Sequence, residues 1–265
     1  KDFSRKAQIV NYDSHRAMME AWNSKMWNST SGLLLWMSHP AWPSMVWQIY
    51  SWDYETFGSF YGCRKACEPI HIQKNLDDQK VVVVNTSLKE IKGAKVIYEV
   101  YSLEGKSLFK RTSKLNVLAN GLTECFVQDK PISASGVYME RLILQDKRGK
   151  VISINDYWQD NGEGDFQGFN ALEEASINCK LIRQKESQIQ IELQNTGAMP
   201  ALALKLNVRE ADTDKRILPA YASDGYFNLL PGEKRTVTVE YVSRGKVAIS
   251  AEGYNLKRSR LLTLK

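Results

Sequence analysis

From Leu76 onward, apolar and polar residues follow a period of two. Val96, Tyr98 and Val100 are interleaved with Lys95, Ile97 and Glu99, and Ile189, Ile191 and Leu193 with Gln190, Glu192 and Gln194. Leu202, Leu204, Leu206 and Val208, and then Val237, Val239 and Tyr241, continue the pattern. Side chains alternate across a strand, so this period predicts half-buried strands of antiparallel sheets. Turn signals separate the runs: Glu104-Gly105, Asn120-Gly121, Arg148-Gly149, Asn195-Thr196-Gly197 and Pro231-Gly232. Short strands at such spacing predict β-sandwiches, and the span accommodates two domains of roughly 100 residues each. The polar, glycine-rich stretch Gln159 to Gln167, with its sequel to Glu174, reads as the joint. Its glycines have no strand-to-helix setting that would make a phosphate loop. Residues 76–172 and 173–265 are therefore expected to be separate sandwiches.

The first 75 residues have a different rhythm. Ile9, Val10, Ala17, Met18, Ala21 and Trp22 recur at helical spacing and predict a helix over Ala7 to Met26. Asn28 to Gly32 breaks it, and the continuous apolar run Gly32 to Met37 predicts a strand buried on both faces. Pro40 and Pro43 keep the next segment irregular. A second helix is expected over Gly58 to Cys67, stopped before Pro69. Helix, buried strand, aromatic loop and helix make up the rhythm of an α/β barrel. One such strand cannot close a barrel, so the head reads as an incomplete piece.

Composition sharpens the division near residue 75. Six of the seven tryptophans lie within the first 52 residues, and only Trp158 lies beyond. The net charge of +6 raises nucleic acid as a partner, but its distribution argues against one. Residues 76–172 carry 13 basic and 13 acidic side chains. Residues 1–75 carry 8 basic and 6 acidic side chains, and residues 173–265 carry 15 and 11, an excess equalled by Lys257, Arg258, Arg260 and Lys265 of an ordinary basic tail. No apolar run approaches the roughly 20 residues that span a bilayer, so no membrane is expected as a partner. Cys63, Cys67, Cys125 and Cys179 complete no metal set of recognisable spacing and read as buried free thiols. Asn28-Ser29-Thr30 and Asn85-Thr86-Ser87 match glycosylation sequons, which carry meaning only in a secretory host.

The head also carries longer motifs. The run Trp36-Met37-Ser38-His39-Pro40-Ala41-Trp42-Pro43-Ser44 resembles the segment after the eighth barrel strand of family 2 glycoside hydrolases, in the branch of exo-β-D-glucosaminidases and β-mannosidases. Ala7 to Tyr12 with Arg16-Ala17-Met18 is similar to that branch's seventh barrel helix, and Tyr61 to Pro69 to its eighth. Asn155-Asp156-Tyr157-Trp158 resembles the close of the first immunoglobulin-like domain after the barrel. Ile217-Leu218-Pro219, Ser223 to Phe227 and Leu229 to Glu233 resemble the terminal domain of exo-glucosaminidase-type members. Where family members often carry an amide or acid just after the tryptophan-bearing strand, this chain has Ser38-His39.

The resemblance implies a mainly β chain: the last βα elements of a (β/α)8 TIM barrel in residues 1–75, followed by two immunoglobulin-like β-sandwiches. It implies the C-terminal part of a retaining, exo-acting β-glycosidase whose substrate is a β-linked glucosaminide or mannoside. The partner would be the N-terminal remainder of the same enzyme, no cofactor or metal would be needed, and a periplasmic or extracellular setting would follow. Retaining glycosidases use two carboxylates about 5–5.5 Å apart. By the resemblance both lie on earlier barrel strands, so no catalytic residue is expected in this chain. Glu20, Glu55 and Glu68 read instead as solvated or helix-end charges.

Trp36, at the C-terminal end of a barrel strand, would face the active-site mouth and offer its indole to a pyranose ring. A place inside the barrel wall is the competing reading. His39 and Trp42, on the same loop, complete the candidate substrate-binding set, while Trp47, Tyr50 and Trp52 are expected to pack the loop. The alternative function is a non-catalytic carbohydrate-binding or scaffolding module. Against it, residues 173–265 contain no tryptophan, whereas sandwich binding modules present rows of exposed rings. A stand-alone Ser/His/Asp hydrolase has no nucleophile motif here.

Overall fold

The computed structural model describes residues 2–44, 48–128, 136–160, 164–242 and 245–264. It is mainly β, and the chain separates into two compact units. Ser14–Leu34 and Gly62–Ala171 make one, and Lys1–Asp13, Leu35–Tyr61 and Leu172–Lys265 the other.

Two helices lie in the head, α1 (Asp2–Asn23) and α2 (Gly58–Ala66). Helix α1 begins before the expected Ala7 and stops short of Met26, where Ser24 to Thr30 form turns instead. Helix α2 falls almost where the residues before Pro69 place it. The run Gly32 to Met37 corrects the sequence reading, because it forms no strand. Leu34 is 95% exposed and Trp36 88%. A doubly buried parallel strand exists only with a hydrogen-bonded neighbour on each side, and no barrel strand pairs with it among the described residues.

In the unit of Ser14–Leu34 and Gly62–Ala171, two antiparallel sheets face one another. One contains β1 (Ile70–Lys74), β2 (Lys80–Asn85) and β5 (Gly121–Val127), in the order β1-β2-β5. The other contains β3 (Ile91–Ser102), β4 (Ser107–Val117), β6 (Tyr138–Gln145) and β7 (Val151–Gln159), in the order β4-β3-β6-β7. Strand β1 already belongs to the sandwich, ahead of residue 76. Val96, Tyr98 and Val100 meet Ile72, Val81, Val83 and Phe126 in the core, as the alternation requires. Ile97 and Glu99, on the opposite face of β3, are also buried, which period alone does not reveal.

The sandwich of the second unit comprises β8 (Ile177–Lys185), β9 (Gln188–Asn195), β10 (Ala201–Glu210), β11 (Ala220–Ala222), β12 (Phe227–Leu229), β13 (Lys234–Tyr241), β14 (Val247–Glu252) and β15 (Ser259–Leu264). Its sheets run β12-β10-β14-β15 and β11-β13-β9-β8. Ile189 and Ile191 oppose Val239 and Val237 across the ladder, and both isoleucines are fully buried, as is Leu193. Each such side chain contributes about 1.5–3 kcal/mol by leaving water. On β10 the phase slips. A bulge between Ala201 and Leu204, with Ala203 at φ 52°, puts Ala201 rather than Leu202 beside Leu204 in the core.

Close approach fixes one glycine. A Cβ at Gly58 would lie 2.0 Å from the backbone oxygen of Gln8, whose side-chain oxygen accepts the Gly58 N–H at 2.8 Å. Backbone cannot yield as a side-chain tip can, so Gly58→Ala is expected to cost about 3 kcal/mol or more. Gly32→Ala, with open space around it, should leave stability unchanged. Thermal unfolding of both variants checks this; equal melting temperatures would contradict the close approach.

Candidate functional site

Residues 36–44 and 48–56 contribute to an aromatic loop. Its base is closed by an isolated antiparallel bridge between Tyr50 and Thr56 and by the Ser51 N–H donating to Glu55 O at 3.0 Å. Tyr54 sits in the left-handed region at φ 65° inside this turn. Its ring stacks on His39 at 4.6 Å, and Tyr50 lies 5.3 Å from the same imidazole. His39 Nε2 is 3.2 Å from the Trp52 carbonyl, so His39 knits the loop together. Tyr50 in turn meets Phe60 of α2 edge-on, anchoring the loop to the helix.

The candidate residues therefore part company. Trp36 and Trp42 are widely exposed, whereas both rings flanking His39 occupy its surroundings. Trp52 and Tyr54 are half exposed, so Trp52 does not pack the loop as its position suggests. Trp47 lies outside the described residues. The loop thus presents Trp36, Trp42, Trp52 and Tyr54 outward: indole and phenol faces suited to the C–H side of a sugar. Tyr54 was not foreseen, because nothing in the sequence marks a tyrosine at positive φ.

Of the three glutamates read as solvated or helix-end charges, Glu20 and Glu55 are corrected by the structure, whereas Glu68, partly exposed just past the end of α2, keeps the helix-end reading. Glu20 is 4% exposed and His71 0%. Glu20 Oε1 accepts from His71 Nε2 at 2.9 Å, Asn155 Nδ2 at 2.7 Å and Tyr157 Oη at 3.0 Å. The other ring nitrogen of His71 lies 3.3 Å from Glu68 Oε2, which also accepts from Ser153 at 2.7 Å. Lys65 donates to Glu68 Oε1 at 2.7 Å. Each imidazole nitrogen lies within hydrogen-bond distance of a carboxylate, which favours the imidazolium, although the Asn155 amide also lies 3.3 Å from Nε2. Arg16 donates to Asn155 Oδ1 at 2.9 Å and lies over the Tyr157 ring at 4.4 Å. Glu55 is likewise buried, held by Lys205 and Arg216. Each carboxylate is committed to internal partners and none is poised for chemistry. The cysteine reading also narrows: Cys63 is buried, but Cys67 is exposed and Cys125 and Cys179 are half-buried.

The electrostatics of the His71 cluster predict a pH window. Burial pushes the Glu68 carboxyl up, but the His71 hydrogen bond and the Lys65 charge outweigh it and bring it to about 2. Glu20 is lowered in the same way, burial being outweighed by His71 and Arg16. Burial pulls His71 down, but the two carboxylates raise it above its ordinary 6.5. Depressed carboxylates stabilise above their ordinary 4.5 and lose that contribution as pH falls through the folded value. A raised histidine stabilises below 6.5 and loses its contribution as pH rises through the folded value. The cluster's contribution should therefore be greatest between pH 4.5 and 6.5. Melting temperatures across pH test this: His71→Gln should flatten the alkaline fall, and an unchanged alkaline limb would contradict it.

With the site laid out, similarity to known proteins can be placed on it. Residues 155–256 match the exo-β-D-glucosaminidase Ig-fold domain family. Over 96% of its length the chain is 29% identical to an exo-β-D-glucosaminidase of Amycolatopsis orientalis. It is 27% identical over 96% to a mannosylglycoprotein endo-β-mannosidase of Lilium longiflorum. The crystal structure of the Amycolatopsis orientalis exo-chitosanase superposes on 97% of the chain with a TM-score of 0.88 at 27% identity, covering 34% of that protein. A β-D-mannosidase from Dictyoglomus thermophilum shares the fold at 20% identity, with a TM-score of 0.73. The chain spans about a third of the length of these curated relatives, 28% and 34% for the first two. The chain as a whole is similar to the C-terminal portion of family 2 exo-β-D-glucosaminidases and β-mannosidases.

Proposed function

We propose that this chain is part of a retaining, exo-acting β-glycosidase that removes β-linked glucosaminide or mannoside units. Residues 1–75 would complete a catalytic barrel with the N-terminal remainder of the same polypeptide. The two sandwiches, the first of them including β1 ahead of the expected boundary at residue 76, would serve as structural supports. The observation that carries this reading is similarity along nearly the whole chain to enzymes named exo-β-D-glucosaminidase and exo-chitosanase, the mannoside alternative resting on similarity to an endo-β-mannosidase.

In that setting the residues of this chain bind and exclude water rather than transfer protons. Trp36 would form the floor of the subsite holding the cleaved sugar, with Trp42 beside it. An indole there offers apolar area to the pyranose and keeps water from the charge that develops at the anomeric carbon. His39 would position the loop through its ring contacts and reach a sugar hydroxyl only through the nitrogen not directed at Trp52.

Residues 1–265 alone should not hydrolyse p-nitrophenyl β-D-glucosaminide or β-mannoside. Glu20, Glu55 and Glu68 are locked in ion pairs, and the two carboxylates of the aromatic loop, Asp53 and Glu55, are both turned to Arg216. A turnover of the isolated chain that disappears when one of these glutamates is changed to glutamine would overturn the assignment.

A further inference from the structure

The unit containing the second sandwich has a cleft of about 920 Å³ away from the aromatic loop's exposed indoles, floored by the outer face of the sheet that holds β10 and β14. Register defines that floor. Lys205 opposes Glu252, Asn207 opposes Ser250 and Arg209 opposes Ala248, so these side chains share one face while Leu206, Val208 and Ile249 point to the core. Helix α1 contributes Arg5 and Gln8, and Arg216, Lys257 and Arg258 close the rim. The lining carries six cationic side chains and two carboxylates, Glu55 and Glu252. The acids that steady the rim cations, Asp214 for Arg258 and Glu174 for Lys257, are not part of the lining. A concave wall with one dominant sign focuses the field on whatever enters.

Two further observations mark the cleft as more than a solvated surface. Arg209 Nε, in the cleft lining, is buried with no hydrogen-bond partner among the described residues, although Nη1 of the same side chain donates to Asp214 O. Buried polar groups are ordinarily satisfied, so this nitrogen calls for a polar neighbour. Ala203 and Tyr226, at φ 52° and 58°, both line the cleft. Non-glycine residues in the left-handed region gather where a binding surface is held in shape. They are coupled, because the Tyr226 N–H donates to Leu204 O at 2.6 Å next to the β10 bulge.

We propose that this cleft binds an acidic oligosaccharide, its carboxylate or sulfate groups held by Arg209, Lys205 and the rim cations. Arginine and lysine would take the oxyanion. Glu252 and Asn207 suit sugar hydroxyls, which both donate and accept. Ile9, Phe57 and Leu256 give the apolar contact a pyranose face needs. The volume lies in the range of small-molecule sites. The binding does not depend on the glycosidase reading, because nothing in it uses a barrel or a catalytic acid.

Isothermal titration of the full chain with trigalacturonate, a sulfated disaccharide, neutral cellotriose and sodium sulfate tests the proposal. At least one acidic saccharide should bind with Kd below about 1 mM. Arg209→Gln should weaken it at least tenfold, and Trp36→Ala should leave it unchanged. Arg258→Gln, at an exposed rim position, should weaken it severalfold and serves if Arg209→Gln fails to fold. Absence of binding by both acidic saccharides would overturn the proposal. So would equal affinity for cellotriose or for sulfate alone, or loss of binding on Trp36→Ala.

Discussion

Changing Glu20 to alanine should destabilise the unit of Ser14–Leu34 and Gly62–Ala171 by about 3–5 kcal/mol, the range for breaking a buried ion pair from one side. The loss is large because of what remains. His71, fully buried, would keep its charge beside Glu68 alone, and the amide of Asn155 and the hydroxyl of Tyr157 would lose a shared acceptor. Glu20→Gln keeps the volume and one acceptor oxygen, so it should cost less than alanine. Denaturant unfolding of the chain measures both. A loss below about 1 kcal/mol for Glu20→Ala would mean that the cluster is solvated and the burial argument fails.

The second large effect concerns activity. In the complete polypeptide, Trp36→Ala should lower kcat/KM on a β-glucosaminide or β-mannoside about a hundredfold, equivalent to about 2.7 kcal/mol of transition-state stabilisation. Interactions that strengthen in the transition state lower turnover when lost, whereas uniform binding losses raise only KM. The fall should therefore appear in kcat. Stability of the isolated chain should barely move, because the Trp36 side chain is 88% exposed there. Trp22 offers a weaker stability contrast than helical spacing suggests, since it is half exposed on α1. If Trp36→Ala unfolds the complete protein and leaves activity per folded molecule intact, the ring belongs to the barrel wall.

The sandwiches were legible in sequence because their signal is local. A strand with one buried face writes its period directly, as Ile189 to Leu193 and Val237 to Tyr241 do. The exception on β10 has a physical cause: a bulge inserts one residue, and no period records the slip from Ala201 to Leu204. The head was legible only in part. Helix α2 is bounded by Pro69 and falls where expected, but the apolar run Gly32 to Met37 needs partners that a period cannot supply. Glu20 and Glu55 were misread for a related reason. Isolated acids in a helical pattern look solvated, and the partners that bury Glu20 come from His71, Asn155 and Tyr157, distant in sequence. Trp36 and Trp42 stand out by residue type, whereas the engagement of His39 depends on Tyr54, whose backbone conformation leaves no mark in the sequence.

The central claim, that this chain completes a β-glycosidase and lines its sugar subsite, is tested most directly by the kinetics of the complete polypeptide on p-nitrophenyl β-D-glucosaminide and β-mannoside, with and without Trp36→Ala. The account predicts release of p-nitrophenol from at least one of these substrates and a roughly hundredfold lower kcat/KM in the variant at unchanged melting temperature. No hydrolysis of either glycoside by the folded, complete protein, or identical kinetics with and without the Trp36 indole, would contradict it.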